Sequence, residues 1–129
     1  MIVVDASVLV DLLCRSRDGD AIEHKLLAGG DSLHAPHLVD IEIVHALRRL
    51  VRIGNMSPDR AEEALVDLYD LRLDRYPHTE RVSRIWELRD SLTAYDAAYV
   101  ALAEALDATL VTRDARLART RGHLSLIHI

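Results

Sequence analysis

The first thirteen residues, "MIVVDASVLVDLL" (residues 1–13), decide how the chain folds, and the fifth of them is the informative one. Ile2–Val4 is an apolar run short enough for a buried strand, and Ser7–Leu13 has the spacing of a helix. Asp5 stands at the handover. A charge there is costly unless it is paired, coordinates a cation or caps the following helix in place of Ser7.

The arrangement recurs near the other end of the chain. In "ATLVTRDARLA" (residues 108–118), Thr109–Thr112 reads as a strand and Asp114 follows two residues later. Between them, the pattern predicts a helix at Gly19–Leu27, a strand at Leu33–Ala35, and a long helix over Leu38–Ile53 closed by Gly54 and Asn55. A helix opened by Ser57 and Pro58 comes next, then a strand in "LRLDRY" (residues 71–76). Helices over Glu80–Arg89, Tyr95–Leu106 and Ala115–Arg119, and a last strand at Leu124–Ile127, complete the chain. Short apolar strands alternating with helices predict an α/β fold, a short, mostly parallel sheet with helices on both faces in three layers.

The bulk composition limits the function classes. At 129 residues the chain is expected to form one domain, residues 1–129, and half of it is hydrophobic, enough to bury a core. A single cysteine, Cys14, excludes an internal disulfide and suits a reducing compartment. No apolar run is long enough to span a membrane, and the N-terminus lacks the basic region of a signal peptide, so a cytoplasmic location is expected. The net charge of −5 argues against a general nucleic-acid coat. Yet of the sixteen lysines and arginines only Lys25 is a lysine, and arginine suits bidentate contacts to phosphate or carboxylate. Aromatic residues make up 4% of the chain, which predicts recognition by shape and backbone rather than a stacking platform.

In an open α/β sheet, ligands gather beyond the carboxyl ends of the strands, where Asp5 and Asp114 fall. Asp96 enters in the first turn of "SLTAYDAAYVALAEAL" (residues 91–106), and Glu42 lies within "APHLVDIEIVHALRRL" (residues 35–50). Clustered carboxylates would raise one another's pKa, and a hard divalent cation with oxygen ligands would relieve that conflict. Each acid also has a plainer role. Asp96 and Thr93 form a capping-box-like pair, Asp114 could cap the helix behind it, and Glu42 shares a helical stripe with His45, Arg49 and Arg52 that reads as a solvated face.

Taken in order, "VVDASVLVDLL" (3–13), "APHLVDIEIVHALRR" (35–49), "SLTAYDAAYVALAEAL" (91–106) and "LVTRDARLA" (110–118) resemble the PIN-domain ribonucleases, most closely the VapC-type toxins of bacterial toxin–antitoxin pairs. The resemblance runs from Ile2 to about Leu126. It implies a Rossmann-like PIN fold and a Mg²⁺- or Mn²⁺-dependent endoribonuclease that hydrolyses RNA phosphodiester bonds. It implies that Asp5, Glu42, Asp96 and Asp114 form the catalytic, metal-binding cluster, supported by the hydroxyls of Ser7 and Thr112. A cognate antitoxin and a homodimer are implied too, the latter with loose support from apolar faces on Gly19–Leu27 and Ala61–Leu71. Arg113, Arg116 and Arg119 recur at three-residue spacing near Asp114 and could either hold flanking RNA phosphates or pair with acids.

Other acid-using classes fit less well. A phosphoryl-accepting receiver needs a late lysine, a "DxDxT" phosphatase needs a second early aspartate, and zinc at the "HAPH" of His34–His37 lacks further ligands. A housekeeping RNA-processing nuclease and a catalytically silent PIN binding module remain as alternatives.

Overall fold

Asp5 ends β1 (Ile2–Val4) and starts α1 (Ala6–Leu13) in a single residue. Its backbone is extended, with φ −88° and ψ 170°, and its side chain accepts the Val8 N–H. The helix therefore opens one residue before the expected Ser7, because Asp5 is the cap. The computed structural model describes residues 1–14, 26, 28–118 and 126–128. Of the helix expected at Gly19–Leu27, only Leu26 falls among them, helical and buried; the remainder lies outside the described residues.

β2 (Leu33–Pro36) leads into α2 (Leu38–Arg52), which buries Val39, Ile43 and Leu47 on one stripe. Gly54, at φ +80°, stops α2, and the N–H of Asn55 returns to the Leu50 carbonyl at 2.9 Å. α3 (Pro58–Asp70) has the expected start, with Ser57 Oγ accepting the Arg60 N–H at 3.1 Å. β3 (Leu73–Tyr76) is shorter than "LRLDRY", since the Leu71 N–H is still drawn back to the Leu68 carbonyl. Arg75 on β3 grips Asp40 on α2 through both carboxylate oxygens, at 2.7 and 2.9 Å.

The helix expected over Glu80–Arg89 is two pieces, a 3₁₀ turn at Thr79–Arg81 and α4 (Val82–Glu87). The junction residue, Arg81, leaves the helical region at φ −113°, and neither piece gains a side-chain cap. α5 (Ala94–Leu106) follows, then β4 (Thr109–Thr112), α6 (Ala115–Ala118) and β5 (Leu126–His128). Seven consecutive residues of α5, Ala97–Ala103, are buried, so this helix is apolar all round and lies against the sheet.

The strands form one sheet in the order β3-β2-β1-β4-β5, and every pairing is parallel. Steps from β1 to β2 to β3 run one way and the later ones run the other. Right-handed crossovers then put α1–α3 on one face and α4–α6 on the opposite one. The order reverses between β1 and β4, and Val4 pairs with Val111 there. That reversal opens a crevice at the carboxyl ends, with Asp5 on one side and Asp114 on the other. Among the described residues no helix is long and apolar enough to cross a membrane.

Candidate active site at the carboxyl edge of the sheet

Asp5 is only 7% exposed, and its two oxygens are divided between α1 and β4. Oδ1 accepts the Ser7 hydroxyl at 2.5 Å and the Val8 N–H at 3.2 Å. Oδ2 accepts the Thr112 hydroxyl from the end of β4. Burial nevertheless pushes the Asp5 carboxyl above its ordinary range, outweighing those three donors, and the nearby Asp96 charge adds to the rise.

Thr112 and Ser7 each act twice. The Thr112 hydroxyl donates to Asp5 and accepts the Asp114 N–H at 2.9 Å, so one buried oxygen ties the acids of β1 and β4 together. Ser7 Oγ donates to Asp5 and accepts the Arg113 N–H at 3.2 Å. Asp114 caps α6: its Oδ1 accepts the N–H groups of Arg116 at 2.8 Å and Leu117 at 3.4 Å. Burial works to raise its pKa, but those two N–H donors and the Arg116 charge outweigh it and hold the carboxyl low.

Glu42 and Asp96 approach from the two helical layers. Glu42 is half-buried, whereas His45, Arg49 and Arg52 on its stripe are exposed, so it leaves the solvated face. Its Oε1 accepts the Tyr99 hydroxyl at 2.6 Å. Burial raises the Glu42 pKa, and the Asp96 and Asp5 charges push the same way. Asp96 sits in the first turn of α5, where Thr93 Oγ1 accepts its N–H at 3.2 Å. Burial raises it too, followed by the charge of Asp114. Capping and site membership thus coincide at Asp5 and Asp114, whereas at Asp96 the cap is Thr93. Sequence reasoning missed Tyr99. The signal was its position three residues after Asp96, which puts both on one face of α5.

The four carboxylates therefore feel one another, with Arg116 as the nearby counter-charge on Asp96 and Asp114. An all-oxygen, mutually repelling donor set suits Mg²⁺ or Mn²⁺. Among the described residues no three His, Cys, Asp or Glu side chains close into a finished metal cage. Zinc at "HAPH" would need His34 free to turn toward a ligand. His34 is instead a core residue bonded to Ser32 at 2.7 Å and Tyr76 at 2.6 Å. Cys14 is half-buried and its thiol is pushed up, not activated.

Of the three arginines, Arg113 is paired with Asp11 at 2.6 Å, and Arg116, 77% exposed, reaches Asp114 at 3.6 Å. Arg119 lies outside the described residues.

A family model for the PIN domain matches residues 2–123. The chain belongs to the PIN-domain family. Within that family its relatives are VapC ribonucleases. Ribonuclease VapC9 of Mycobacterium tuberculosis (strain ATCC 25618 / H37Rv) is 47% identical over 120 residues, covering 93% of this chain and 91% of its own. Ribonuclease VapC12 of the same strain is 36% identical over 129 residues, covering 100% and 98%. Among solved structures, PAE2754 from Pyrobaculum aerophilum superposes with a TM-score of 0.70 at 29% identity, over 97% of this chain and 81% of that one. VapBC2 from Rickettsia felis, bound to a DNA fragment from its promoter, shares the PIN fold with a TM-score of 0.72 at 20% identity, covering 99% and 98%.

Proposed function

We infer that this PIN domain is a metal-dependent endoribonuclease acting as the toxin of a toxin–antitoxin pair. One observation carries the reading: Asp5, Glu42, Asp96 and Asp114 come from four separate segments to one crevice, and the first three are held above their ordinary pKa. The relatives named VapC ribonucleases support the same activity.

Asp5, Glu42, Asp96 and Asp114 would hold the cation. Bound there, Mg²⁺ or Mn²⁺ would supply water activation and charge stabilisation for phosphodiester hydrolysis. The protein supplies position. Ser7 and Thr112 lock both oxygens of Asp5, so that carboxylate cannot swing away. Tyr99, 2% exposed, holds one oxygen of Glu42, Oε1, from inside the core. Arg113 and Arg116 lie at the crevice rim, where an RNA phosphate could compete for them with Asp11 and Asp114.

A cognate antitoxin would cover the crevice and silence it, and the toxin would act in the cytosol. A homodimer is part of the reading, supported by the exposed Val66 and Tyr69 of α3.

The test is cleavage of a structured RNA with Mg²⁺, Mn²⁺ or EDTA, comparing the parent with Asp96→Asn. Cleavage by the parent alone, abolished by EDTA, is the expected result; equal cleavage by the variant would overturn the assignment. Expression without the antitoxin should arrest growth, which a housekeeping nuclease would not do.

A further inference from the structure

Glu42 is shared by two surfaces. One side faces the carboxylates. The other forms a wall of a cleft of about 440 Å³ lined by Leu38, Ile41, Glu42, His45 and Tyr95. Ile41 and Tyr95 are large hydrophobic residues left 69% and 62% exposed, and they immediately precede the acids Glu42 and Asp96 in the chain. The backbone that delivers each acid thus also delivers an apolar or aromatic surface just outside the crevice.

The chemistry of the lining narrows the occupant. Among the described residues no lysine or arginine lines this cleft, so their side chains offer nothing to a phosphate. It offers an aromatic ring, two aliphatic walls and an imidazole at the edge, which suit a flat ring with polar edges. Its volume lies within the range of small-ligand sites. An RNA whose phosphodiester rests on the acids must direct a flanking nucleoside somewhere, and this cleft shares a wall with them. Low aromatic content speaks against a broad stacking platform, but one ring beside the site needs no such content.

We propose that the Tyr95 cleft is a nucleobase subsite, in which Tyr95 stacks on the base flanking the scissile phosphate of a single-stranded RNA segment. Tyr95 is a specificity-determining residue, with Ile41 closing the cleft and His45 available to a base edge. The proposal rests on the ribonuclease reading for its catalytic consequence, though not for binding.

Two measurements on the full chain separate the two claims. In EDTA, where cleavage cannot occur, affinity for short labelled single-stranded RNA homopolymers is read by fluorescence anisotropy. Tyr95→Ala should weaken binding about 10-fold to 100-fold, and Tyr95→Phe should keep most of it. Loss of affinity supports the subsite even if no cleavage is ever seen; unchanged affinity overturns it even if the parent is an active nuclease. In Mg²⁺, an abasic ribose at one flanking position should lower kcat/KM as Tyr95→Ala does, with no further loss when the two are combined. Equal losses on intact and abasic substrates would overturn base stacking. So would a Tyr95→Ala protein that binds RNA normally but no longer holds its antitoxin, since the cleft would then belong to that protein. Tyr95 is exposed on the first turn of α5, so its truncation leaves the core intact.

Discussion

The Tyr99 hydroxyl donates to Glu42 Oε1 across 2.6 Å, joining α5 to α2, helices from opposite faces of the sheet, at the site. The bond lowers the Glu42 pKa against the larger effect of burial. Glu42 in turn raises the Tyr99 pKa far beyond its usual range, after burial itself, so the phenol stays protonated and remains a donor.

Tyr99→Phe removes that donor and little else. Stability should fall by about 1 kcal/mol or somewhat more, read by denaturant unfolding. Cleavage should fall about 10-fold to 100-fold, as for other partners that orient metal-binding groups. The Glu42 pKa should rise further, moving the acid limb of the pH–rate profile to higher pH. An unmoved acid limb would remove Tyr99 from the positioning of Glu42.

Asp5→Asn and Asp5→Ala should part company. Asparagine caps helices about as well as aspartate and carries no desolvated charge. The Asn variant should lose cleavage yet melt, without metal at neutral pH, at or above the parent temperature. The Ala variant also loses the cap and should be destabilised by about 1 kcal/mol or more. Circular dichroism melts and an RNA cleavage assay distinguish them.

Thr112→Val keeps the shape of a fully buried side chain and deletes a donor to Asp5 and an acceptor for the Asp114 N–H. A loss of about 1–3 kcal/mol is expected, because both partners are left short of a bond. Cleavage should fall with it, and added Mg²⁺ should recover part of the stability but little of the rate.

The metal-free protein should lose stability as pH rises through the acid range. Asp5, Glu42 and Asp96 have folded pKa values raised above their unfolded ones. Their contribution is therefore fully present below about pH 4 and is lost as pH climbs through the raised values. Asp114 has the opposite sign: its contribution is present above about pH 4 and is lost only as pH falls through its lowered pKa. Divalent cation should reverse the loss at neutral pH, giving about 2.7 kcal/mol at a hundredfold excess over Kd. That gain should shrink toward pH 5 as protons compete for the same oxygens. Melting curves with Mg²⁺ or EDTA across this range measure both effects.

The positions of β1 and β4 were legible because each is a short apolar run before a helix, and they lie where Ile2–Val4 and Thr109–Thr112 predict. Boundaries were less so. Asp5 rather than Ser7 opens α1, and Glu80–Arg89 divides at Arg81, because caps and backbone angles are decided by the final path of the chain. The plainer readings of Asp5 and Asp114 as helix caps were sound, and they do not exclude the site. Glu42 is the least legible acid. Its stripe is solvated farther along α2, and the residue that bonds it, Tyr99, comes from a helix distant in sequence.

A growth-arresting protein is under pressure to acquire disabling mutations, and the double duty of Asp5 makes those routes unequal. Most changes at Asp5 fray α1 along with the chemistry, so survivors of that kind would yield degraded chains unable to occupy the antitoxin. Changes at Asp96, whose backbone N–H makes the Thr93 cap bond whatever its side chain, leave an intact decoy. Lineages that retain an inert copy as a sink for antitoxin should therefore carry the lesion on α5.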